Sequence, residues 1–378
     1  MGRPAATIAS IQAHGDSARS AERATVDTIA ERLARRAVAR GDRTLDILML
    51  SAGGQNGAYG AGFLRGWRAR SDASMPRFDL VTGVSTGALQ APFALLGTTE
   101  ALDTVAALYR NAAEQIAPSI NWLFWLRRDG GLVNTERLER TVERVLDGPM
   151  RDQIREQLAA GRQLAIGSTD LDLGVGRTWN LDMDSTTAGL ARVHTLLRAS
   201  SAIPGIFPPV VIDGHVHADG GVVSTVLSVL DFESSVALVK RLRAHGVADQ
   251  VTVRLWVVMN QGTHAPVQVM DPARRTQIHQ RGDGVLYYSQ QPLLLENLAN
   301  LARAVTATVP GLRVELRFTA VPPELANAPG ASQLFDKAFM RQLEQLGFDR
   351  AQSANPWDET TSRYERPPLP AILPPVPP

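Results

Sequence analysis

Twelve residues, FDLVTGVSTGAL at 78–89, constrain the fold more than any other part of the chain. A short apolar run leads into the pattern G-x-S-x-G at Gly83, Ser85 and Gly87, and a helical pattern follows directly. A serine that presents its hydroxyl above a sheet sits on a sharp turn from strand to helix, and flanking glycines remove the Cβ atoms that would clash there. The helix N-terminus also favours a developing oxyanion. The stretch therefore predicts an α/β sheet with Ser85 as a candidate nucleophile.

Composition excludes several classes of function. The 39 Lys and Arg residues nearly balance the 38 Asp and Glu residues, so no nucleic-acid partner is expected. The absence of cysteine excludes disulfides, thiolate metal sites and a cysteine nucleophile. No run approaches the about 18 apolar residues of a spanning helix, and the first residues lack the apolar core of a signal peptide. A cytoplasmic location is the default expectation, and an exported or anchored form stays open if a leader was removed.

Changes in residue pattern divide the chain into three parts. Residues 1–44 form a polar segment and then an amphipathic helix at 18–40, which we expect to pack against its own domain because its apolar face is narrow. Residues 45–350 alternate strand-like and helical stretches, with a long helix expected to start at Pro292. In residues 351–378 the last thirteen positions include seven prolines, which predicts a disordered tail.

An aromatic segment, NWLFWLRR at 121–128, lies inside the main domain. We interpret it as a buried connector, because aromatic side chains usually pack in the core. An interfacial lip is the alternative, since Trp and Arg side by side suit a membrane boundary.

A first Gly-rich loop follows the strand-like run at 45–51. Gly53, Gly54 and Gly57 lie between this run and a helical pattern. The loop lacks the lysine of a P-loop and does not match the dinucleotide fingerprint in register. Adjacent glycines expose two consecutive N–H groups, which suits an oxyanion hole equally well. The strand that ends near Gly83 is expected beside the first one through a right-handed crossover.

A tight hairpin is predicted just before Asp219. Asp213-Gly214 is a strong two-residue turn signal between the strand-like runs 210–212 and 215–218. The hairpin delivers Asp219 to its end, where the glycine pair 220–221 would allow the loop to approach a nucleophile closely.

Ser85 needs a base, and two interpretations stay open. His215, His217 and Asp219 share strand parity, so their side chains are expected on one face. A Ser-His-Asp esterase would use His215 or His217, and the two histidines are also a candidate metal pair, although nothing specifies a third ligand. Alternatively the Asp219 carboxylate is itself the base, since burial disfavours its charged form and raises its basicity.

Four short blocks in a fixed order carry a resemblance to a known family. They are Gly53-Gly54-x-x-Gly57, Gly83-x-Ser85-x-Gly87, Ser201-Ala202-Ile203-Pro204-Gly205-Ile206-Phe207-Pro208-Pro209 and Asp219-Gly220-Gly221. In this order and spacing the chain resembles the patatin-like phospholipases over nearly half of its length. The resemblance implies a three-layer α/β/α fold with a mostly parallel central sheet. It also implies hydrolysis of acyl esters in phospholipids or other lipids, without a cofactor or metal.

The resemblance also implies roles for single residues. Ser85 would be the nucleophile of a Ser-Asp dyad, Asp219 its base, and the N–H groups of Gly53 and Gly54 the oxyanion hole. The other glycines of the blocks would support the turns, namely Gly57, Gly83, Gly87, Gly220 and Gly221.

Two positions depart from the family pattern. Ala52 and Asn56 stand where family members usually have a glycine and a basic residue. The altered block motivates a rival hypothesis from another class, a non-catalytic lipid-binding protein with the same fold. A lipid or phospholipid ester is the expected substrate, transient contact with a membrane surface is a further expectation, and the oligomeric state stays open.

Overall fold

A mixed sheet of eight strands forms the centre of the molecule. A computed structural model describes residues 8–111, 119–120, 133–146, 148–183, 186–333 and 335–358. The aromatic segment 121–128 and the tail from 359 onward lie outside the described residues. None of the described helices combines the length and the apolar character needed to span a membrane.

The strands in chain order are β1 (Thr44–Leu50), β2 (Leu80–Val84), β3 (Ser119–Ile120), β4 (Val133–Asn134), β5 (Gln163–Asp170), β6 (Val175–Asn180), β7 (Val210–Ile212), β8 (His215–Asp219), β9 (Val251–Met259) and β10 (Leu312–Ala320). The helices are α1 (Ile8–Arg40), α2 (Gly57–Arg68), α3 (Thr86–Leu96), α4 (Thr99–Arg110), α5 (Glu136–Leu146), α6 (Pro149–Ala159), α7 (Thr187–Ser200), α8 (Phe232–Ala244), α9 (Arg275–Thr308) and α10 (Lys337–Gln352).

The sheet order is β10-β9-β1-β2-β5-β8-β7, and β6 pairs with β5. Strands β10, β9, β1, β2 and β5 run parallel, whereas β6, β7 and β8 are antiparallel to their neighbours. The predicted adjacency of these two strands is confirmed, because β1 and β2 are parallel neighbours. Helices cover both faces, so the protein has the predicted three-layer α/β/α fold with a mostly parallel sheet.

Strand β1 shows why helices are needed on both faces of the sheet. Leu48 and Leu50 enter a core shared with α2, α3, α4, α7 and α10. Leu45, Ile47 and Met49 enter a second core with α1, α8 and α9. Successive side chains of a strand point to opposite faces, so an uninterrupted apolar run requires cover on both sides.

Helix α1 begins at Ile8, earlier than the predicted start at residue 18. No proline or glycine pair interrupts residues 8–17, so the backbone continues as helix although few of these side chains are buried. The expected packing of α1 on its own domain is confirmed, because Ile29 and Leu33 lie in the second core. The division of the chain at residues 44 and 350 stays a prediction.

The prediction of a helix that starts at Pro292 is wrong, because α9 begins at Arg275 and contains the proline. Proline has no N–H, so the carbonyl four residues earlier loses its helical partner. The Gln291 side chain donates a hydrogen bond to the Tyr287 carbonyl of the preceding turn at 3.1 Å. Burial of Leu295 after the proline holds the second half of α9 in the core.

Strand β5 brings the ends of β2 and β8 together. The first five residues of β5 pair with β2, the last three pair with β8, and β6 pairs along the last six. Because a strand has only two edges, β2 and β8 must share the edge that β6 leaves free. Val84 ends β2 opposite Gly167, and Asp219 ends β8 opposite Ser168. Ser85, the residue after Val84, therefore lies next to Asp219.

Candidate active site

Ser85 occupies the tight turn between β2 and α3. Its backbone has φ 55° and ψ −121°, a strained conformation of a kind that clusters at functional sites. A Cβ on Gly83 would lie 2.4 Å from the Gly87 carbonyl oxygen, and a Cβ on Gly87 would lie 2.2 Å from the Leu50 carbonyl oxygen. Both glycines are therefore required by close backbone packing, as the sequence pattern predicts.

Two serines at the end of α7 hold this turn. The Ser85 N–H donates to Ser200 Oγ at 3.1 Å, and Ser200 Oγ donates to the Gly167 carbonyl at 2.6 Å. The Ser201 hydroxyl donates to the Ser85 carbonyl at 3.4 Å. Ser201 belongs to the third sequence block, whereas sequence reasoning missed Ser200. The Ser85 N–H is thus engaged and leaves oxyanion binding to other donors.

Asp219 is buried and hydrogen-bonded to the Ser85 side chain. Its Oδ1 also accepts the Gly221 N–H at 2.7 Å, and its own N–H donates to the Ala202 carbonyl at 2.8 Å. Burial raises the pKa of the Asp219 carboxyl to about 6, although the hydrogen bonds from Ser85 and Gly221 lower it. The carboxylate is therefore ionised at neutral pH and more basic than an ordinary aspartate.

The glycine pair after Asp219 fits a crowded space. A Cβ on Gly220 would lie 2.6 Å from the Gly167 carbonyl oxygen. A Cβ on Gly221 would lie 3.0 Å from Asp219 Oδ1 and 3.2 Å from the Ala52 Cβ. The pair lets the Asp219 loop lie directly against β5 and the loop after β1.

The loop after β1 presents two backbone donors. A Cβ on Gly53 would lie 2.0 Å from the Asn260 carbonyl oxygen, whereas a Cβ on Gly54 would meet no described atom within 4 Å. Gly54 has φ +57°, a backbone that favours glycine. In the described part of the chain, no acceptor is bonded to the N–H of Gly53 or Gly54. Both N–H groups are therefore available to an anion.

Helix α2 packs against the start of α3 through Gly57. A Cβ there would lie 2.1 Å from Thr86 Oγ1, and the Gly57 carbonyl accepts a hydrogen bond from Gln90 Nε2 at 2.6 Å. The Gly-rich loop and the Ser85 turn are consequently fixed to each other.

Asn260 fixes the loop after β1 from the carboxyl end of β9. Its N–H donates to Ser51 Oγ at 2.7 Å, its Nδ2 donates to the Ser51 carbonyl at 2.8 Å, and its Oδ1 accepts the Gly60 N–H at 3.1 Å. The sequence analysis missed this residue because no family block lies beyond 221. A polar residue directly after a buried parallel strand was the available signal, since α/β sites form at the carboxyl ends of strands.

The two departures from the family pattern fit the structure differently. The Ala52 N–H donates to the Thr225 carbonyl at 2.7 Å, and Ala52 does not have a positive φ. Alanine therefore fits this position without strain and without removing a free donor. Asn56 lies at the start of α2, where its N–H donates to the Gly53 carbonyl at 3.1 Å.

The hairpin histidines lie in the same region as Asp219 but bond to β5. His217 Nδ1 is 3.1 Å from Ser168 Oγ, and His215 Nδ1 is 2.7 Å from Asp170 Oδ2. Burial lowers the pKa of His217 to about 4. Among the described residues, neither histidine is hydrogen-bonded to Ser85.

The structure also does not pair the two histidines around one metal position. The ligand atoms of Asp170, Asp172 and His215 lie within 4.8 Å of one another, whereas His217 is not in this group. The Asp170 carboxylate accepts the backbone N–H groups of Asp172 and Leu173 at 3.1 and 3.0 Å in addition to its bond with His215. Hydrogen bonds within the group account for its geometry.

A cavity of 230 Å³ lies between α3, α5 and α7, one helical turn from Ser85. The Leu89 N–H donates to the Ser85 carbonyl at 3.2 Å, and the Leu89 side chain lines the cavity. An apolar cleft that extends to Phe93 and Tyr109 shares its wall. The residues common to both are Leu89, Leu138, Val142 and Leu197.

Comparison with known proteins relates one part of the chain to a known family. Residues 48–228 match the family described as patatin-like phospholipase, and this stretch includes Gly53, Ser85 and Asp219. This stretch therefore matches a patatin-like phospholipase domain, and that family supports lipid acyl hydrolysis at the level of the family. Among solved structures it is similar to VipD from Legionella pneumophila, with 12% identity and a TM-score of 0.33 over 81% of this chain. The match spans 66% of the VipD chain. A search of curated proteins found no match.

Asp219→Asn is expected to stabilise the fold at neutral pH. The folded pKa of about 6 exceeds the ordinary value of 3.8, so this carboxyl destabilises the folded state as pH rises from about 4 through about 6. The full effect is about 3 kcal/mol above pH 7, and about half of it is reached at pH 5. Urea unfolding at pH 5 and pH 8 measures the difference. The exposed Asp103→Asn is the control, and a gain that does not grow with pH would contradict the assignment.

Proposed function

We propose that this protein is a serine acyl hydrolase that cleaves ester bonds of phospholipids or related lipids with a Ser85-Asp219 dyad. The hydrogen bond between the Ser85 side chain and the buried Asp219 carboxylate carries the proposal. Family membership of residues 48–228 supplies the class of substrate, a lipid ester.

In the first step, Ser85 Oγ attacks the ester carbonyl carbon and Asp219 takes the hydroxyl proton. A general base works best when its pKa lies near the working pH, and a pKa of about 6 meets this condition while leaving the carboxylate ionised. The Oγ–C bond forms as the carbonyl π electrons move onto oxygen.

The oxyanion is proposed to bind the N–H groups of Gly53 and Gly54, with the N-terminus of α3 contributing its positive end. Loss of one such donor typically costs about 3 kcal/mol of transition-state stabilisation. The intermediate then expels the alcohol, which takes the proton from Asp219. Water, activated by the same carboxylate, attacks the acyl-Ser85 carbonyl and releases the fatty acid.

The dyad is favoured over a Ser-His-Asp triad by the contacts of the histidines. His217 is bonded to Ser168 and His215 to Asp170, and burial lowers the pKa of His217 to about 4, which makes it a weak base. The non-catalytic lipid-binding alternative is motivated by Ala52, which stands where the family usually has a glycine. Its N–H is bonded to the Thr225 carbonyl, so alanine there leaves the proposed donors intact.

The acyl chain is proposed to enter the cavity between α3, α5 and α7. Glu139, Glu143, His194 and Arg198 also line this cavity, whereas the adjoining cleft from Leu89 toward Phe93 is apolar. The chain is therefore proposed to extend from Leu89, beside the Ser85 carbonyl, into the apolar cleft. Each methylene buried there contributes about 0.8 kcal/mol, enough to select a chain length.

Ser85→Ala and Asp219→Asn are each expected to lower fatty-acid release from phospholipid vesicles by about 1,000-fold or more, because each removes a reacting group. Mass spectrometry of free fatty acid and lysophospholipid provides the measurement. His217→Gln is the control, since glutamine can keep a hydrogen bond to Ser168, and it should retain most activity. Equal losses in His217→Gln and Ser85→Ala would favour the triad.

The rate should rise with pH through about 6 and then level off. Asp219 must be ionised to accept the serine proton, and its pKa is about 6. The kcat/KM for a soluble short-chain ester between pH 4.5 and 8.5 reports the free enzyme. A rate that is already level across this range, as a base with the His217 pKa of about 4 would give, would contradict the dyad.

Val142→Phe is expected to shift the preference toward shorter acyl chains, because this partly buried side chain lines both parts of the proposed acyl cavity. A series of p-nitrophenyl esters with increasing chain length measures kcat/KM. Val142→Ala should keep or lengthen the preferred chain. An unchanged profile in the phenylalanine variant would place the acyl chain elsewhere.

A further inference from the structure

The inner face of α9 contacts loops of the candidate active site. The Tyr287 hydroxyl is hydrogen-bonded to Gln261, which follows Asn260 at the end of β9. One turn later, Gln291 Oε1 accepts the Thr225 hydroxyl at 2.6 Å. Thr225 in turn accepts the Ala52 N–H and lies against Gly221, two residues after Asp219. Helix α9 is thereby joined to both loops that surround the dyad.

The opposite face of the same part of α9 is apolar and exposed. Ile278, Val285, Leu286 and Leu293 occur at i, i+7, i+8 and i+15, which places them in one stripe at about 100° per residue. These four side chains, called the outer stripe below, are 39 to 67% exposed. An apolar stripe on a helix usually faces a core, so an exposed one marks an interaction surface.

The neighbourhood of the outer stripe indicates the chemistry of its partner. Arg275 and Arg281 lie in the first two turns of this helix, and Tyr288, three residues after Val285, lies at the edge of the stripe. Apolar residues with interfacial tyrosines and arginines are the composition of helices that lie in the headgroup region of a bilayer. Val222 and Val223, in the loop after Asp219, are also exposed. Apolar surface is thus present on α9 and on the loop of the proposed base.

We propose that the outer stripe of α9 docks the protein on a phospholipid surface, so that one helix connects the lipid interface to the loops of the active site. The proposal rests on the proposed hydrolase function, because a lipid ester is drawn from such a surface. One face of α9 is bonded to the active-site loops, and the other would lie in the lipid. Docking would therefore hold the proposed dyad close to the membrane surface.

Single cysteines test the proposal directly, because the chain contains no cysteine. Leu286→Cys and, as a control, Val38→Cys on α1 are each labelled with an environment-sensitive nitrobenzoxadiazole dye in a Ser85→Ala background, which prevents turnover. Val38 is 44% exposed and lies near Arg40, which binds Asp79 at the opposite end of the sheet. On phosphatidylcholine vesicles, the dye at 286 should shift to shorter wavelength and gain at least twofold in intensity. The dye at 38 should not change.

Flotation with the same vesicles gives the strength of binding. In the Ser85→Ala background, Val285→Ser with Leu286→Ser should raise the lipid concentration for half-binding at least tenfold, and Val38→Ser should leave it within twofold. Thermal unfolding establishes that the variants fold. Because binding is measured without turnover, a failed docking proposal is distinguishable from a failed hydrolase proposal.

Three outcomes would overturn the docking proposal. In the first, the emission of the dye at 286 would not change while the protein binds vesicles, which would favour segment 121–128 as the membrane contact. The double serine variant would bind as tightly as its parent. Sedimentation velocity would show that the substitutions dissociate a dimer while vesicle binding persists, which would make the outer stripe a contact between copies.

Discussion

The hydrogen bond between the Ser85 side chain and the Asp219 carboxylate depends on the pairing of β2 and β8 with one edge of β5. Parallel β2 occupies the first part of the free edge of β5, and antiparallel β8 occupies the rest, so the two strands end against each other. The residue that follows β2 and the residue that ends β8 must then meet. The Gly167 carbonyl at this junction is bonded to Ser200 and packed against Gly220. Pairing within the sheet, rather than loop conformation, therefore brings the side chains of the proposed dyad together.

Close backbone packing and burial supply the remaining properties of the site. Glycines at 83, 87 and 220 make three backbone contacts at distances that a Cβ would forbid. The same packing keeps water from Asp219, which raises the pKa of its carboxyl to about 6 and makes it a stronger base. Strain at Ser85 and a buried carboxylate both destabilise the folded state, and the two large cores on either face of the sheet offset them.

The sequence predicted the turns whose conformation depends on the residues within the turn itself. The Asp213-Gly214 turn has φ 51° and 85°, as a two-residue hairpin turn requires, and the Ser85 turn follows from its glycines. Contacts between distant parts of the chain could not be predicted in this way. Asn260 and Gln291 reach the site through tertiary packing, and strand parity could not show that the hairpin histidines bond to β5. Pro292 was misinterpreted as a helix start because packing after the proline outweighs its local preference.

Intact mass after reaction with a fluorophosphonate tests whether Asp219 activates Ser85, because the reagent reacts with an activated serine whatever the natural substrate. We expect one adduct on the wild type, none on Ser85→Ala, and a strongly slowed reaction in Asp219→Asn, with His217→Gln labelled like the wild type. A folded wild type that forms no adduct would contradict an activated Ser85. Loss of labelling in His217→Gln would contradict a carboxylate base.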